Sequence, residues 1–203
     1  MKRVLFSFAL AAAMLLGAPQ ARSTVIPMYA VLTGANEFPV NASPGTGLAS
    51  FVLDTVALTL QGHISFSGLA GTTTAAHIHC CLANPFQVGA NVGVATLVPA
   101  FPLFPLGVTA GVDDFILDLT LAASYNAGFI TAQGSLAAAQ TAFINGLTSG
   151  RSYLNIHTTA FPGGEIRGFV TVPEPMTSGL VIFGLAAAAF VTRRRQAGPI
   201  ALA

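Results

Sequence analysis

Apolar and polar residues alternate through most of residues 28–172, at the two-residue period of strands buried on one face. The clearest case is residues 58–69, where Leu58, Leu60, Ile64 and Phe66 alternate with Thr59, Gln61, His63, Ser65 and Ser67. His63 therefore belongs to the polar face, as an exposed side chain. Residues 28–33 and 48–53 read as two earlier strands, separated by a polar loop punctuated with Pro39, Pro44 and several glycines. Residues 72–81, 92–98 and 114–121 read as later ones, with Phe115, Leu117, Leu119 and Leu121 facing inward. Pro99, Pro102 and Pro105 exclude regular ladder pairing in the apolar segment between the last two. One helical pattern stands out at residues 135–147: Ser135 can cap it, its alanines favour it, and Gly146 or Gly150 ends it.

The stretch from Tyr153 to Val170 reads as a hairpin. Leu154, Ile156 and Thr158 face one side of its first strand, and Tyr153, Asn155 and His157 the other. Pro162-Gly163-Gly164 offers a fixed φ followed by two residues free to take positive φ, which suits a tight reversal. Beyond the turn, Glu165 and Arg167 share a face and are expected to hold each other or a neighbouring loop. Many short strands and one brief helix predict a mainly β domain, an antiparallel sandwich or barrel.

The two ends of the chain depart from this pattern. Met1-Lys2-Arg3 is a basic opening, residues 4–16 are apolar but short for a membrane span, and Ala21-Arg22-Ser23 offers a cleavage site. Residues 1–23 are therefore expected to be a signal peptide, with the mature chain starting at Thr24. At the other end, Pro173-Glu174-Pro175 precedes an apolar run, and Arg193, Arg194 and Arg195 follow it. A transmembrane helix over about residues 176–192 is expected, its arginines on the cytoplasmic side.

Removing the ends changes the charge balance. The whole chain carries +1 and only 7% charged residues. Within residues 24–172, Arg151 and Arg167 face Glu37, Asp54, Asp113, Asp114, Asp118 and Glu165, a net charge of −4. A mildly acidic domain with no basic cluster gives no footprint for nucleic acid. No Gly-x-Ser-x-Gly elbow, His-Glu-x-x-His helix or phosphate-binding loop occurs, so nothing points to hydrolysis or phosphoryl transfer.

Chemistry concentrates in Ala76-His77-Ile78-His79-Cys80-Cys81 and at His157. Histidines two apart on a strand project from one face, about 6.6 Å apart at the backbone. Two such rings can converge on one metal ion, with His157 as third donor; copper or zinc suits these ligands. Cys81 would join their face if the strand continued. The competing expectation is that the histidines bond loop carbonyls and fasten the end of the sheet. Cys80 and Cys81 are the only cysteines. Adjacent Cα atoms about 3.8 Å apart leave open a strained vicinal disulfide, two free thiols, or a bond to another chain.

Leu32-Thr-Gly-Ala-Asn-Glu-Phe-Pro39, Ser67-Gly-Leu69, Ala76-His-Ile-His79 and the stretch from Asn155 to Gly168 resemble the signatures of the CHRD domain. That family is named for repeats in chordin and also occurs in bacterial surface proteins. The likeness spans roughly residues 29–172 and implies a compact β domain; in such sequences the Cys-Cys pair implies a vicinal disulfide. The His-x-His strand also resembles the paired ligands of copper-zinc superoxide dismutases. Pro173-Glu174-Pro175, one helix and the three arginines resemble the PEP-CTERM sorting signal. This implies recognition by an exosortase, with Gln196 to Ala203 a longer tail than the pattern usually shows. The combined expectation is an exported protein. It would pass through an inner-membrane-anchored intermediate to the cell surface or matrix, and serve there in a structural or adhesive role with extracellular polysaccharide. The alternative expectation is a copper or zinc protein with a superoxide-dismutase-like, redox-active site.

Overall fold

The computed structural model describes residues 25–173. They form seven strands: β1 (Val25–Thr33), β2 (Thr46–Asp54), β3 (Thr59–Ser67), β4 (Thr73–Cys80), β5 (Gly111–Asp118), β6 (Ser152–Thr158) and β7 (Ile166–Phe169). One antiparallel sheet holds them all, in the order β4-β6-β7-β1-β2-β3-β5. It curls into a half-barrel, so the expected mainly antiparallel β architecture is present as a single sheet. Two short helices, α1 (Ala127–Gln133) and α2 (Leu136–Thr148), accompany it where one was expected.

The two-residue period sets which face is buried. On β1, Met28, Ala30 and Leu32 are buried; they join Ala49, Phe51 and Leu53 of β2 and Leu60, Ile64 and Phe66 of β3 in one core. A fully buried large side chain of this kind stabilises the fold by roughly 1.5–3 kcal/mol. The proline-rich segment roofs part of this core: Phe101 stacks on Phe115 at 4.1 Å and Phe104 on Phe66 at 5.4 Å.

Three local expectations are corrected. Residues 92–98 form no strand; Val94 touches the sheet through an isolated bridge to His79, and Thr96 bridges to Tyr125 outside it. The Thr96 hydroxyl accepts the Ile78 amide at 2.9 Å, so a side chain replaces the ladder there, and Pro99 blocks its extension. β5 ends at Asp118, whose carboxylate takes the Thr120 amide at 2.9 Å and hydroxyl at 2.6 Å. Leu121 lies beyond that turn and is 54% exposed instead of inward.

The third correction concerns the helices. Ser135 caps α2 as expected, accepting the Ala138 amide at 3.1 Å, but Gly146 lies inside the helix. Gly150, at φ 70°, is the glycine just past its end. α1 was not expected; Asn126 caps it by accepting the Gly128 amide at 2.7 Å, and Gly134 closes it at φ 86°. In the β6–β7 turn only Gly164 of the glycine pair takes positive φ, at 128°.

Candidate metal centre

β4 pairs with β6, and β6 with β7, so three strands present one polar face at the end of the sheet. His77 lies opposite Asn155, and His79 opposite Tyr153; His157 is two residues beyond Asn155 and so diagonal to His77. The ring centroids of His77 and His79 are 4.8 Å apart, and those of His77 and His157 4.7 Å. One ligand atom from each of the three rings lies within 4.8 Å of the others. An ion bound at ~2.0–2.1 Å would draw three such nitrogens in by about 1 Å.

The hydrogen bonds decide which nitrogens are available. The His79 Nδ1 lies 2.7 Å from the Val92 carbonyl oxygen, and the His157 Nδ1 2.8 Å from that of Pro162. A carbonyl only accepts, so both Nδ1 atoms carry the proton and both Nε2 atoms present a lone pair. Among the described residues, His79 Nε2, His157 Nε2 and His77 Nδ1 are buried without a hydrogen-bond partner. Carbonyls that fix ring orientation behind a ligating nitrogen are the usual support of a histidine metal site.

Electrostatics keep the cluster neutral. Burial, then the neighbouring His79 and His157, push the His77 pKa down to about 3. Burial likewise lowers His79 to about 4, with His157 and Arg167 adding to the effect against the raising influence of the Val92 hydrogen bond. His157 is lowered too, by burial. Neutral imidazole is the form that ligates. His63, by contrast, is exposed on another part of the sheet and pairs with Asp114 at 2.7 Å.

Beside the histidines lies a second buried polar group that the sequence did not reveal. The Tyr153 ring stacks on His79 at 4.7 Å, and the Arg167 guanidinium lies 4.4 Å from the Tyr153 ring centre. Arg167 is fully buried, donating to the carbonyls of Asn36 at 2.6 Å and Ala90 at 3.2 Å and to Asn91 Oδ1 at 2.9 Å. Glu37 comes within 4.0 Å of it and accepts from Asn155 Nδ2 at 2.8 Å. Burial nevertheless raises the Glu37 pKa to about 7, against the attraction of Arg167 and the Asn155 bond. Glu37 sits in the loop after β1, more than a hundred residues from its partners, and only the Asn-Glu-Phe-Pro signature marked it.

Glu165 and Arg167 do not hold each other; each ties down different loops. The Glu165 carboxylate accepts from the Ser43 hydroxyl at 2.5 Å, the Ala70 amide at 2.6 Å, the Gly71 amide at 3.2 Å and the Thr158 hydroxyl at 2.5 Å. Burial alone would raise its pKa, but these four bonds outweigh it and lower the pKa.

Cys80 and Cys81 are disulfide-bonded to each other across a cis peptide bond. β4 ends at Cys80, and Cys81 Sγ lies 3.3 Å from the Ala142 carbonyl of α2. Cys81 therefore turns toward the helix and does not join the histidine face. The sorting expectation falls almost wholly outside the described residues: Pro173 is the last of them, with Glu174, Pro175, Arg193, Arg194 and Arg195 beyond. Residues 1–23 likewise lie outside. Among the described residues no helix is long and apolar enough to cross a membrane.

Sheet and cluster together define an antiparallel β domain with a buried, histidine-bearing polar end. The family model of the CHRD domain matches residues 28–170, and the chain belongs to that family. No curated protein and no solved structure matches it.

Proposed function

We propose that this chain is an exported CHRD-domain protein whose domain holds one copper or zinc ion on His77, His79 and His157. The observation that carries the reading is that His77, His79 and His157 each bring one ring nitrogen within 4.8 Å of the others, and that each ring has a buried nitrogen with no hydrogen-bond partner among the described residues. Buried polar atoms are ordinarily paired, and an unpaired one costs roughly 1–3 kcal/mol, so three unpaired ring nitrogens on one face call for a common partner. Three imidazoles with no carboxylate suit borderline metals and not magnesium or calcium.

The location rests on the ends of the sequence: the signal peptide, Pro173-Glu174-Pro175, the apolar run and the arginine cluster. They support export, anchoring by the C-terminal segment, recognition by an exosortase, and display at the envelope or matrix. A reporter fused after Ala203 should remain cytoplasmic while one inserted near Asn41 is exported; the reverse pattern would refute the topology.

A second, structural or adhesive reading draws on the outer face of the sheet. Val31, Leu48 and Val112 align in register across β1, β2 and β5, with Val52 and Ile116 in a parallel row, and all five are exposed. The two readings are compatible in one molecule. Metal analysis of the purified chain, with thermal melts in the presence and absence of copper and zinc, tests the metal. A ligand that binds only the folded state raises the melting temperature. The His79→Gln form should lose that rise. No metal-dependent shift in the wild type would leave the histidines as fasteners of the sheet.

A further inference from the structure

Three histidines leave a four-coordinate ion one ligand short, and the surroundings point to what completes it. Building on the metal reading above, we propose that the fourth position carries an exchangeable water or hydroxide that donates a hydrogen bond to Asn155 Oδ1 and can be displaced by a small anion.

Asn155 occupies the middle of the polar face. It lies directly opposite His77 on β4 and directly opposite Arg167 on β7, and two residues before His157 on its own strand. Its carboxamide has a fixed orientation: Nδ2 donates to Glu37 Oε1 at 2.8 Å, so the oxygen end must face elsewhere. Gly164 fixes it further, because a Cβ there would lie 2.7 Å from Nδ2 and 2.8 Å from Oδ1. Among the described residues, Asn155 Oδ1 is buried with no partner, on the same face as the three unpartnered histidine nitrogens.

The His79 and His157 Nε2 lone pairs and Asn155 Oδ1 cannot satisfy one another, since all three are acceptors. An ion satisfies the three nitrogens, and a water bound to that ion supplies the proton that Oδ1 lacks. A bare anion could not, so the resting ligand is hydroxylic. The fully buried Arg167 adds positive charge, and its Nη2 is also without a partner among the described residues. That charge lies close to the site: the guanidinium is 4.4 Å from the Tyr153 ring centre, and that ring stacks on His79. It favours hydroxide over water, and an entering anion over a neutral ligand. His79 and His157 are only partly buried, which leaves an approach for solvent. The centre is thus of the open kind, with a position free to exchange, and not a closed structural one.

The purified full chain loaded with copper(II) tests this through water-proton relaxation and azide titration. The expected result is a relaxation enhancement from bound, exchanging water, abolished as azide binds with a new charge-transfer absorption. In the Asn155→Leu form copper should still bind, but azide should displace the less firmly held water more readily. Loss of one hydrogen bond predicts a roughly three- to tenfold gain in azide affinity. Copper bound at one per chain with neither relaxation enhancement nor an azide band would overturn the open position while leaving the metal reading intact. Unchanged azide affinity in Asn155→Leu would overturn the role of Asn155. Failure of the wild type to retain copper or zinc would instead remove the metal reading itself, and this inference with it.

Discussion

His79 and Tyr153 face each other directly across the β4–β6 pairing, with their rings 4.7 Å apart and within 8° of parallel. The same tyrosine hydroxyl accepts the Val92 amide at 3.3 Å, and Val92 in turn offers the carbonyl that holds His79 Nδ1. One side chain therefore positions the histidine twice, by stacking and through the loop behind it.

Tyr153→Ala should remove both supports. Truncating a buried aromatic costs roughly 3–5 kcal/mol, so this variant is expected to be strongly destabilised and to bind metal poorly. Tyr153→Phe keeps the stack and loses the two long hydrogen bonds of the hydroxyl to the Val92 amide and carbonyl, a combined cost of about 1 kcal/mol. Urea unfolding of both forms checks the order. Equal loss in the two would mean that the hydroxyl, and not the ring, carries the support.

Glu37 and Glu165 should shape the pH dependence with opposite signs. Glu37 has its folded pKa raised from 4.5 to about 7. The unfolded chain gives up that proton first, so its contribution to stability falls as pH rises from about 4.5 to about 7, by at most ~1.4 kcal/mol per unit. Glu165 has its folded pKa lowered, so its contribution is present above the unfolded value and lost as pH falls through the folded one. Stability curves of Glu37→Gln and Glu165→Gln against pH measure this. Relative to wild type, Glu37→Gln should gain as pH rises toward 7, and Glu165→Gln should be less stable at neutral pH. A common direction for both would contradict the assignments.

β1, β2, β3 and β5 were legible because one face of each is buried, which imposes a clean two-residue period, whereas β6 and β7 are buried on both faces and were marked by their turn and polar residues. Residues 92–98 misled because Val92, Val94 and Val98 fall at the two-residue spacing of a strand while Thr96 satisfies the β4 backbone with its hydroxyl. Helix α1 escaped notice because seven residues span only two turns, too few for a 3.6-residue period to register. His77, His79 and His157 were visible as candidates because two share a strand face and the third lies in the only other polar motif. The contacts of Glu37 with Asn155 and Arg167 were not visible. They depend on strand order, which brings β7 beside β1 and carries the loop after β1 over the histidine face.

Gly146→Ala probes how α2 seats on the cysteine pair. A Cβ at this position would collide with Cys80 Sγ and come within 2.9 Å of Cys81 Sγ and Ser152 Oγ. In an exposed helix the change would stabilise by roughly 1 kcal/mol through propensity. Here overpacking is expected to win, with a net loss of roughly 1–3 kcal/mol. Thermal melts decide the sign. A stabilised variant would mean that the helix shifts freely away from the pair.

The last prediction concerns protons competing for the metal. Free imidazole takes a proton near pH 6.5, and three exposed surface histidines would release an ion as pH falls through that value. In this chain burial holds His77 down to about 3 and His79 to about 4. Copper or zinc should therefore remain bound from neutrality to about pH 5, and be lost only as the histidines charge nearer pH 4. The apo protein has its own dependence with the same sign. Groups whose folded pKa is depressed contribute stability that is present above the unfolded value near 6.5 and is lost as pH falls toward the folded values. Metal at a hundred times its dissociation constant adds about 2.7 kcal/mol, so the loaded form should withstand acid further than the apo form. Equilibrium dialysis across this range, with unfolding followed in parallel by circular dichroism, separates release from unfolding. Metal loss centred near pH 6.5 while the fold persists would mean that the ion sits on exposed rings and not in this buried cluster.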